Sequence, residues 1–343
     1  MTHTTHNRNS GFTLIEILVV IAIIAVLAGI LLAALSGVQK AAKKTKSETL
    51  MQSFGRACDE FALDHGRYPG ILPDSVIDGT QITSTQNALL ELMGGARIRG
   101  PQSTSTIIQE FDAFADATPV PTMTVNGWDL AFNPNRFGEG PWISGRVHDP
   151  YFSPKSSDLE YSAYDSGNPD EFEFPSLVDA WDMPIIYLRS IRKSGPILDD
   201  PNNATDPNYS LPQFDLQLTA LDAFIDSALN QNSSILASNL QTDEERMAWI
   251  TLLLAHPTFW ETDSYPSCSN CIAGTAWGTT RGRYVLISAG PDATYLEVGN
   301  EQIHTNQNVN PDKPFASLLE PDSGLVTPTM MDSFDDVVVY GGA

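Results

Sequence analysis

The sequence has few cysteines and few basic residues, and each shortage excludes a class of protein. Only 3 of its 343 residues are cysteine, which is too few for a disulfide framework. Lysine and arginine number 19 against 42 aspartates and glutamates, so the formal net charge is -23. A surface that holds a phosphate backbone neutralises phosphates with lysine and arginine. We therefore expect no nucleic-acid partner.

The cysteines leave three alternatives open. Cys268 and Cys271 form a Cys-Ser-Asn-Cys pair, which suits a local disulfide, two reduced thiols or part of a metal site. A structural zinc site usually takes four ligands, and no second cysteine pair stands near the first. The apolar run near the N-terminus indicates export of the later part of the chain across a membrane, and an exported position favours a disulfide between Cys268 and Cys271. Cys58 is expected to be a small buried side chain on a helix.

The motifs of common enzyme classes are also absent from the sequence. It contains no glycine-rich phosphate loop, no Gly-x-Ser-x-Gly and no His-Glu-x-x-His. His148, His256 and His304 are isolated in sequence, which is more typical of surface or core residues than of a catalytic site. We expect no enzymatic activity.

The most informative segment that is present is a long apolar run near the N-terminus. After a polar start whose only formal charge is Arg8, the run extends over 24 residues from Phe12 to Leu35. Glu16 is its only charged residue. At 1.5 Å per residue this helix is about 36 Å long, which is enough to cross a hydrocarbon layer of about 30 Å. The run predicts one membrane-spanning helix.

A secretory signal peptide is the main alternative for this segment. Arg8 would form its basic start, and the small residues Ala33, Ala34 and Ser36 would form its cleavage site. The apolar run is longer than the 7 to 15 residues typical of such peptides, and a carboxylate inside it costs free energy in lipid. Because Glu16 stands inside the apolar run despite this cost, we expect its carboxylate to have a function.

The residues Gly11-Phe12-Thr13-Leu14-Ile15-Glu16 resemble the processing motif of type IV prepilins and pseudopilins. The resemblance implies a leader peptide of residues 1–11, cleaved from Phe12 by a prepilin peptidase, and methylation of the new Phe12 amine. It also implies that Glu16 pairs with the Phe12 amine of a neighbouring subunit during assembly. A buried carboxylate is tolerated when a cation pairs with it, so the implied role agrees with the physics.

The helix is expected to continue beyond the membrane. No proline interrupts the chain between Phe12 and Arg67, and apolar residues after Leu35 recur three or four apart. The pattern predicts a transmembrane and assembly helix over 12–65 that ends before Gly66. Four lysines follow the apolar run and suit anionic headgroups, acidic neighbours in a filament or a solvated helix face: Lys40, Lys43, Lys44 and Lys46.

The remainder, 66–343, resembles the globular head of major pseudopilins with large insertions. The helix of Asn87–Met93 and three later blocks carry the resemblance, namely Val178–Tyr187 with its Asp-x-Trp-x-x-Pro, Arg283–Asp292 and Asp335–Tyr340. The β-branched and aromatic runs in those blocks predict short antiparallel strands. The expected fold class is α+β, with the long N-terminal helix packed on a small antiparallel sheet.

Two insertions interrupt this resemblance. The first, near 94–175, is rich in proline, glycine, serine and aromatics, which predicts a loop-rich subdomain. The second, near 193–277, has apolar residues at helical spacing over Leu216–Leu229 and Thr242–Ala255, which predicts two helices.

A calcium site is the one cofactor that the resemblance implies. Asp292 and Asp336 map best onto the calcium ligands of major pseudopilins, followed by Asp335 and Asp332. Calcium prefers several oxygen ligands, which carboxylates and loop carbonyls supply. Ala293 replaces the usual glycine of this loop. The alternative is an acidic turn whose carboxylates bond backbone N–H groups without metal.

The expected function is that of a structural subunit of a type II secretion pseudopilus or a type IV pilus-like filament. The alternative is a pilin-like surface adhesin that displays an enlarged head. The implied partners are copies of itself, other pilin-like subunits, the prepilin peptidase, an assembly platform and the inner membrane. The expected location is the inner membrane, with a single pass and the head in the periplasm or in an extracellular filament.

Overall fold

The protein is described here by a computed structural model that covers residues 14–77, 82–117, 120–143, 145–163, 173–189, 282–295 and 336–342. Its contacts separate two compact units, Met1–Thr45 and Lys46–Ala343. The chain is an α+β protein with a long N-terminal helix and small antiparallel sheets. This architecture confirms the predicted fold class and is consistent with a pilin-like fold.

Helix α1, Leu14–His65, contains 52 residues and ends at the predicted residue. Gly66 terminates it with a positive φ of 72°, a conformation that glycine adopts without strain. The Gly66 N–H still donates to the Ala62 carbonyl oxygen at 2.9 Å, which satisfies one acceptor of the last turn. A following proline, Pro69, prevents continuation of the helix.

Helix α3, Ser84–Met93, begins three residues before the predicted Asn87–Met93. Thr83 caps it, because its side chain accepts from the Gln86 N–H while the Gln86 side chain accepts from the Thr83 N–H. This reciprocal capping satisfies two donors that a helix start otherwise leaves without partners. The other α-helices in the described residues are α2, Asp74–Ile77, and α4, Ser105–Ala117.

Ten strands form four small antiparallel sheets in the described residues. One sheet has the order β1-β3-β2, a second has the order β10-β9-β8, and β4-β5 and β6-β7 are two-stranded. In the second sheet Ile186 pairs with Ile287, and Val337 pairs with Ser288. The strands are β1 Ala96–Arg99, β2 Thr122–Val125, β3 Trp128–Phe132, β4 Trp142–Ile143, β5 Arg146–Val147, β6 Leu159–Ala163, β7 Glu173–Leu177, β8 Ile186–Arg189, β9 Tyr284–Ser288 and β10 Val337–Gly341.

The main core of the second unit lies between α1, α3 and the sheet β10-β9-β8. Phe54 is fully buried and contacts Phe152 and Tyr187 edge to face, with ring centroids 5.3 and 5.4 Å apart. Cys58 is also fully buried in this core, as its position on the helix predicts. The other α1 members of the cluster are Leu50, Met51, Ala57 and Phe61.

The first insertion contains more regular structure than its composition predicts. It has the 13-residue helix α4 and the sheet β1-β3-β2, with a core cluster that includes Leu130 and Phe132. Strands of four or five residues between turns are too short to stand out from a composition rich in proline and glycine. The predicted helices Leu216–Leu229 and Thr242–Ala255 of the second insertion lie outside the described residues.

Candidate functional site

The N-terminal half of α1 presents an almost continuous apolar surface. Leu14–Leu31 has a mean hydropathy of 3.1 and is the only described helix that is long and apolar enough to cross a membrane. Its large side chains are exposed, from 49% for Val19 to 82% for Leu14. Each such side chain gains about 1.5–3 kcal/mol when it leaves water. This surface therefore favours lipid or the apolar side chains of other helices.

Glu16 lies in the first turn of α1, inside that apolar surface. The positive end of the helix dipole favours a carboxylate in this turn. Gly11 and Phe12, the predicted processing residues, lie outside the described residues. Their cleavage, their methylation and the pairing of Glu16 remain predictions.

A second group of predicted residues meets at one end of the sheet β10-β9-β8. The chain leaves β9 through a short turn of 3₁₀-helix, Gly290–Asp292. Because Val337 pairs with Ser288, Asp336 lies at the sheet end from which this turn departs. The sheet register thus brings Asp336 and the Asp292 turn to the same end. Asp335, Asp332, Cys268 and Cys271 lie outside the described residues.

The two described aspartates have different surroundings. The exposed Asp292 accepts the Thr294 N–H at 3.0 Å through Oδ1, and Ala293 between them has a positive φ of 61°. Asp336 is buried, with 7% of its surface exposed. No group of three or more histidine, cysteine or acidic side chains with metal-binding geometry occurs in the described part of the chain. The described donors thus fit a cation only in part.

Asp179, the first residue of the Asp-x-Trp-x-x-Pro block, organises the same sheet end from the inside. Its Oδ1 accepts the N–H groups of Trp181 at 2.7 Å and Met183 at 3.0 Å. Its Oδ2 accepts the Ser288 hydroxyl at 2.5 Å, at the end of β9. Burial raises the pKa of Asp179, while these three hydrogen bonds oppose that rise. Asp179 therefore holds the turn before β8 against the end of β9.

Tyr295 makes a second connection across this end. Its side chain is fully buried, and its hydroxyl donates to the Pro184 carbonyl oxygen. Burial raises the pKa of Tyr295 well above its ordinary value, and the charges of Asp179 and Asp336 raise it further. The loop after β9 is thus anchored close to the carboxylates of Asp179 and Asp336. The Asp-x-Trp-x-x-Pro block could be identified in the sequence, but its pattern did not indicate that Asp179 and Tyr295 hold this sheet end together.

The turn at this sheet end is also hydrogen-bonded to α1. The buried Ser47 hydroxyl oxygen accepts the Ala180 N–H at 3.0 Å. One residue earlier, the Lys46 ammonium lies 3.1 Å from Asp158 Oδ1, next to β6. The first contact ties the beginning of the buried part of α1 to the turn before β8, and the second ties it to the start of the sheet β6-β7.

An ion pair and several hydrogen bonds fix the segment that follows α1. Arg67 forms a two-point ion pair with the buried Glu91 of α3, with Nη1 2.6 Å from Oε2. Glu91 also accepts the Gly70 N–H at 2.7 Å. From the sheet side, Arg189 donates to the carbonyl oxygens of Tyr68 and Pro69, both at 2.7 Å. The segment Tyr68-Pro69 is therefore fixed between α3 and β8.

A histidine pair that sequence spacing did not reveal lies at the C-terminal end of α1. The rings of His65 and His148 are 5.1 Å apart, 83 residues apart in the chain. The Tyr151 hydroxyl donates to Asp64 Oδ2 at 2.7 Å, so its oxygen accepts from His65 Nε2 at 3.1 Å. Burial, His148 and Arg67 lower the pKa of His65. Because His148 is isolated in sequence, only the folded chain reveals this pair.

Cys58 has the surroundings of a structural cysteine. It is buried in the main core, and burial raises the pKa of its thiol far above the ordinary value. A thiol of this kind stays protonated near neutral pH, and it is the thiolate that reacts. The structure therefore offers no reason to assign chemistry to Cys58.

Comparison with known proteins adds a family assignment for the N-terminal segment. Residues 6–32 match the family described as the prokaryotic N-terminal methylation motif. The chain is 39% identical over 62 residues to type II secretion system core protein G of Aeromonas hydrophila, which is 18% of this chain and 43% of that protein. It is 42% identical over 62 residues to core protein G of Pectobacterium carotovorum subsp. carotovorum, which is 18% of this chain and 40% of that protein.

These matches are local. The aligned segments span less than half of the length of each of the two relatives. No solved structure matches the chain significantly. The similarity thus covers 62 of the 343 residues of this chain.

Proposed function

We propose that the chain is a type IV pilin-like protein and a structural subunit of a type II secretion pseudopilus or a type IV pilus-like filament. The observation that carries the proposal is the methylation motif at 6–32, continuous with the exposed apolar surface of Leu14–Leu31. A helix of this kind suits both a membrane and the interior of a helical filament. The family is a structural class, and we propose no catalytic role.

The proposed maturation begins with a prepilin peptidase. It removes residues 1–11, and the new amine of Phe12 is methylated. The mature protein then consists of an assembly helix over 12–65 and a head over 66–343. The separate compact unit Lys46–Ala343 supports a head that folds around the second part of the helix.

Glu16 has the specific role in assembly. In lipid its charge is unfavourable, and pairing with the Phe12 amine of a neighbouring copy compensates it. The pair forms only when two helices have the correct axial offset. Glu16 therefore sets the register between subunits.

The proposed partners follow from this assembly. They are further copies of the chain, other pilin-like subunits, the prepilin peptidase and an assembly platform in the inner membrane. Before assembly the protein spans the inner membrane once, with its head in the periplasm. After assembly the head lies in the pseudopilus or in an extracellular filament.

A surface adhesin is a second candidate because of the first insertion. The inserted region has its own sheet, its own helix and a small core cluster of Phe111, Phe114 and Ala131, which a densely packed subunit does not need. Deletion of the gene discriminates the two functions. Loss of protein secretion favours the pseudopilin, whereas loss of surface attachment with normal secretion favours the adhesin.

Mass analysis of the N-terminus tests the proposed maturation. Protein extracted from membranes should begin at methylated Phe12, and Gly11→Leu should leave the precursor uncleaved because the peptidase must approach the backbone closely there. Asn9→Leu is the matched control outside the junction and should be processed normally. A mature chain that begins near Ser36 would contradict the proposal and favour a signal peptide.

A further inference from the structure

A group of positive charges after the membrane span has no role in the function proposed above. The charged residues of 36–46 are four lysines, and no acidic residue lies among them. Lys46 pairs with Asp158 of its own chain. Lys40, Lys43 and Lys44 are exposed on α1. They are called the lysine stripe below.

The spacing within the stripe concentrates its charge. Residues three and four apart are neighbours on a helix surface, so the ammonium groups of Lys40, Lys43 and Lys44 lie on one side of α1. Like charges at these spacings destabilise a helix. An anionic partner relieves that repulsion, so the stripe is suited to an acidic surface.

The distance between the lysine stripe and the apolar run indicates whether lipid headgroups or a protein supplies this acidic surface. Lys40 follows Leu35, the end of the apolar run, by five residues, or about 7.5 Å of helix. Lys43 and Lys44 follow Leu35 by about 12 and about 13.5 Å. The headgroup layer on each side of a membrane is only about 5–8 Å thick. Lys43 and Lys44 therefore lie beyond the headgroups, where a protein surface covers them better than lipid does.

The chain itself supplies an acidic surface of this kind. Residues 66–343 contain 37 of the 42 acidic residues but only 13 of the 19 basic ones. Several of these carboxylates are exposed in the described part of the head, among them Glu139, Asp149, Glu160 and Glu173. A second copy thus offers the stripe a head with an excess of carboxylates.

We propose that the lysine stripe docks onto the acidic head of a second copy of this chain. The inference rests on the proposed filament function, because assembled helices bring the copies together. Electrostatic contacts of exposed groups weaken as salt screens them, so this contact is salt-dependent.

Photocrosslinking of the full chain in membranes tests the docking. A photoreactive residue replaces either Ala42, beside the stripe, or Val26, in the apolar span. We expect both positions to crosslink to a second copy, and the Ala42 products to contain head peptides from residue 66 onwards. The triple variant Lys40→Glu, Lys43→Glu and Lys44→Glu should reduce the Ala42 products at least several-fold and leave the Val26 products unchanged.

Two variants control for charge alone. Lys40→Arg, Lys43→Arg and Lys44→Arg keeps the charge and should retain the products. Lys155→Glu with Arg146→Glu adds acidic charge at exposed positions of the head and should not mimic the loss. High salt should weaken the Ala42 products of the unchanged chain more than its Val26 products.

Three outcomes would overturn the docking. Equal Ala42 products in the triple glutamate variant would show that the stripe makes no contact. Ala42 products that form only in vesicles with anionic lipid would assign the stripe to headgroups. Val26 products without Ala42 head products would refute the docking alone, whereas absence of both from the unchanged chain would refute the filament function as well.

Discussion

Glu16 is the residue through which we propose that one copy pairs with the next. It is the only charged residue between Phe12 and Leu35, and it occupies the helix turn where the dipole favours a negative charge. That stabilisation is small compared with the cost of a charge in lipid, which the proposed pairing with the Phe12 amine would compensate. The physical argument and the family pattern thus indicate the same role.

Glu16→Ala should leave membrane insertion intact, because it removes a charge from the apolar run. It should reduce the Val26 photocrosslinks between copies at least several-fold, because the pairing with the Phe12 amine is lost. Glu16→Gln should give the same loss, since it keeps the shape and removes the charge. Filament entry by Glu16→Ala at the rate of the unchanged chain would show that Glu16 does not set the register.

His65 couples the end of α1 to pH through its hydrogen bond with Tyr151. Burial, His148 and Arg67 lower its pKa, while Glu91 and Asp64 act in the opposite direction. The folded chain therefore favours neutral His65, and the unfolded chain binds the proton more readily. Stability from this residue is present above the ordinary histidine pKa of about 6.5 and decreases as the pH falls below it.

His65→Gln should make the unfolding free energy less dependent on pH below about 6.5 than in the unchanged chain. The measurement is the urea unfolding midpoint at a series of pH values. His148→Gln should reduce the dependence in the same direction, because it removes the cation that opposes His65 protonation. An unchanged pH dependence in His65→Gln would show that its surroundings in the fold do not perturb the imidazole.

Helix α1 is one element with two kinds of surroundings. Its Leu14–Leu31 segment exposes apolar side chains, whereas Phe54 and Cys58 are fully buried in the main core. The same helical geometry therefore leaves an exposed apolar surface in one segment and forms part of the main core in the other. The stability of the head depends on the second segment.

Phe54→Ala should lower the unfolding free energy of the head by about 3–5 kcal/mol, the usual cost of removing a buried aromatic ring. The lost contacts include Phe152 and Tyr187. Glu60→Ala, an exposed position on the same helix, should change it by about 0.5 kcal/mol or less. Urea unfolding monitored by circular dichroism measures both, and equal effects would contradict the buried position of Phe54.

The end of the sheet β10-β9-β8 combines carboxylates from distant parts of the chain. Asp179 has its hydrogen bonds inside the fold, whereas Asp292 is exposed beside its turn. A cation at this end would take Asp292, Asp336 and loop carbonyls as ligands, with Asp335 and Asp332 as further candidates. Such a site would add to the stability of the whole head because only the native chain forms it.

Calcium should raise the melting temperature of the full chain, since a ligand that binds only the native state stabilises it by about 2.7 kcal/mol at one hundred times its dissociation constant. Asp292→Ala with Asp336→Ala should remove the rise. Asp149→Ala with Glu160→Ala removes two carboxylates elsewhere and should retain it. No rise with calcium, or an equal rise in the Asp292 and Asp336 variant, would favour an acidic turn without metal.

The amino-acid sequence alone determined the features that depend on neighbouring residues. Helix α1 was predicted to end at about His65, because Gly66 and Pro69 act within one or two turns. The apolar run and the position of Glu16 within it could also be identified from neighbouring residues alone. The strands β8, β9 and β10 followed from short β-branched runs between turn residues.

Only the tertiary structure decided which distant side chains meet. The Asp179–Ser288 hydrogen bond joins residues 109 apart, and the Tyr295–Pro184 bond joins residues 111 apart. The His65–His148 pair likewise joins residues that are far apart in the sequence. Sequence periodicity reports which face of an element is apolar, but not which other element covers that face. Those contacts arise from sheet register and core packing, which depend on the whole folded head.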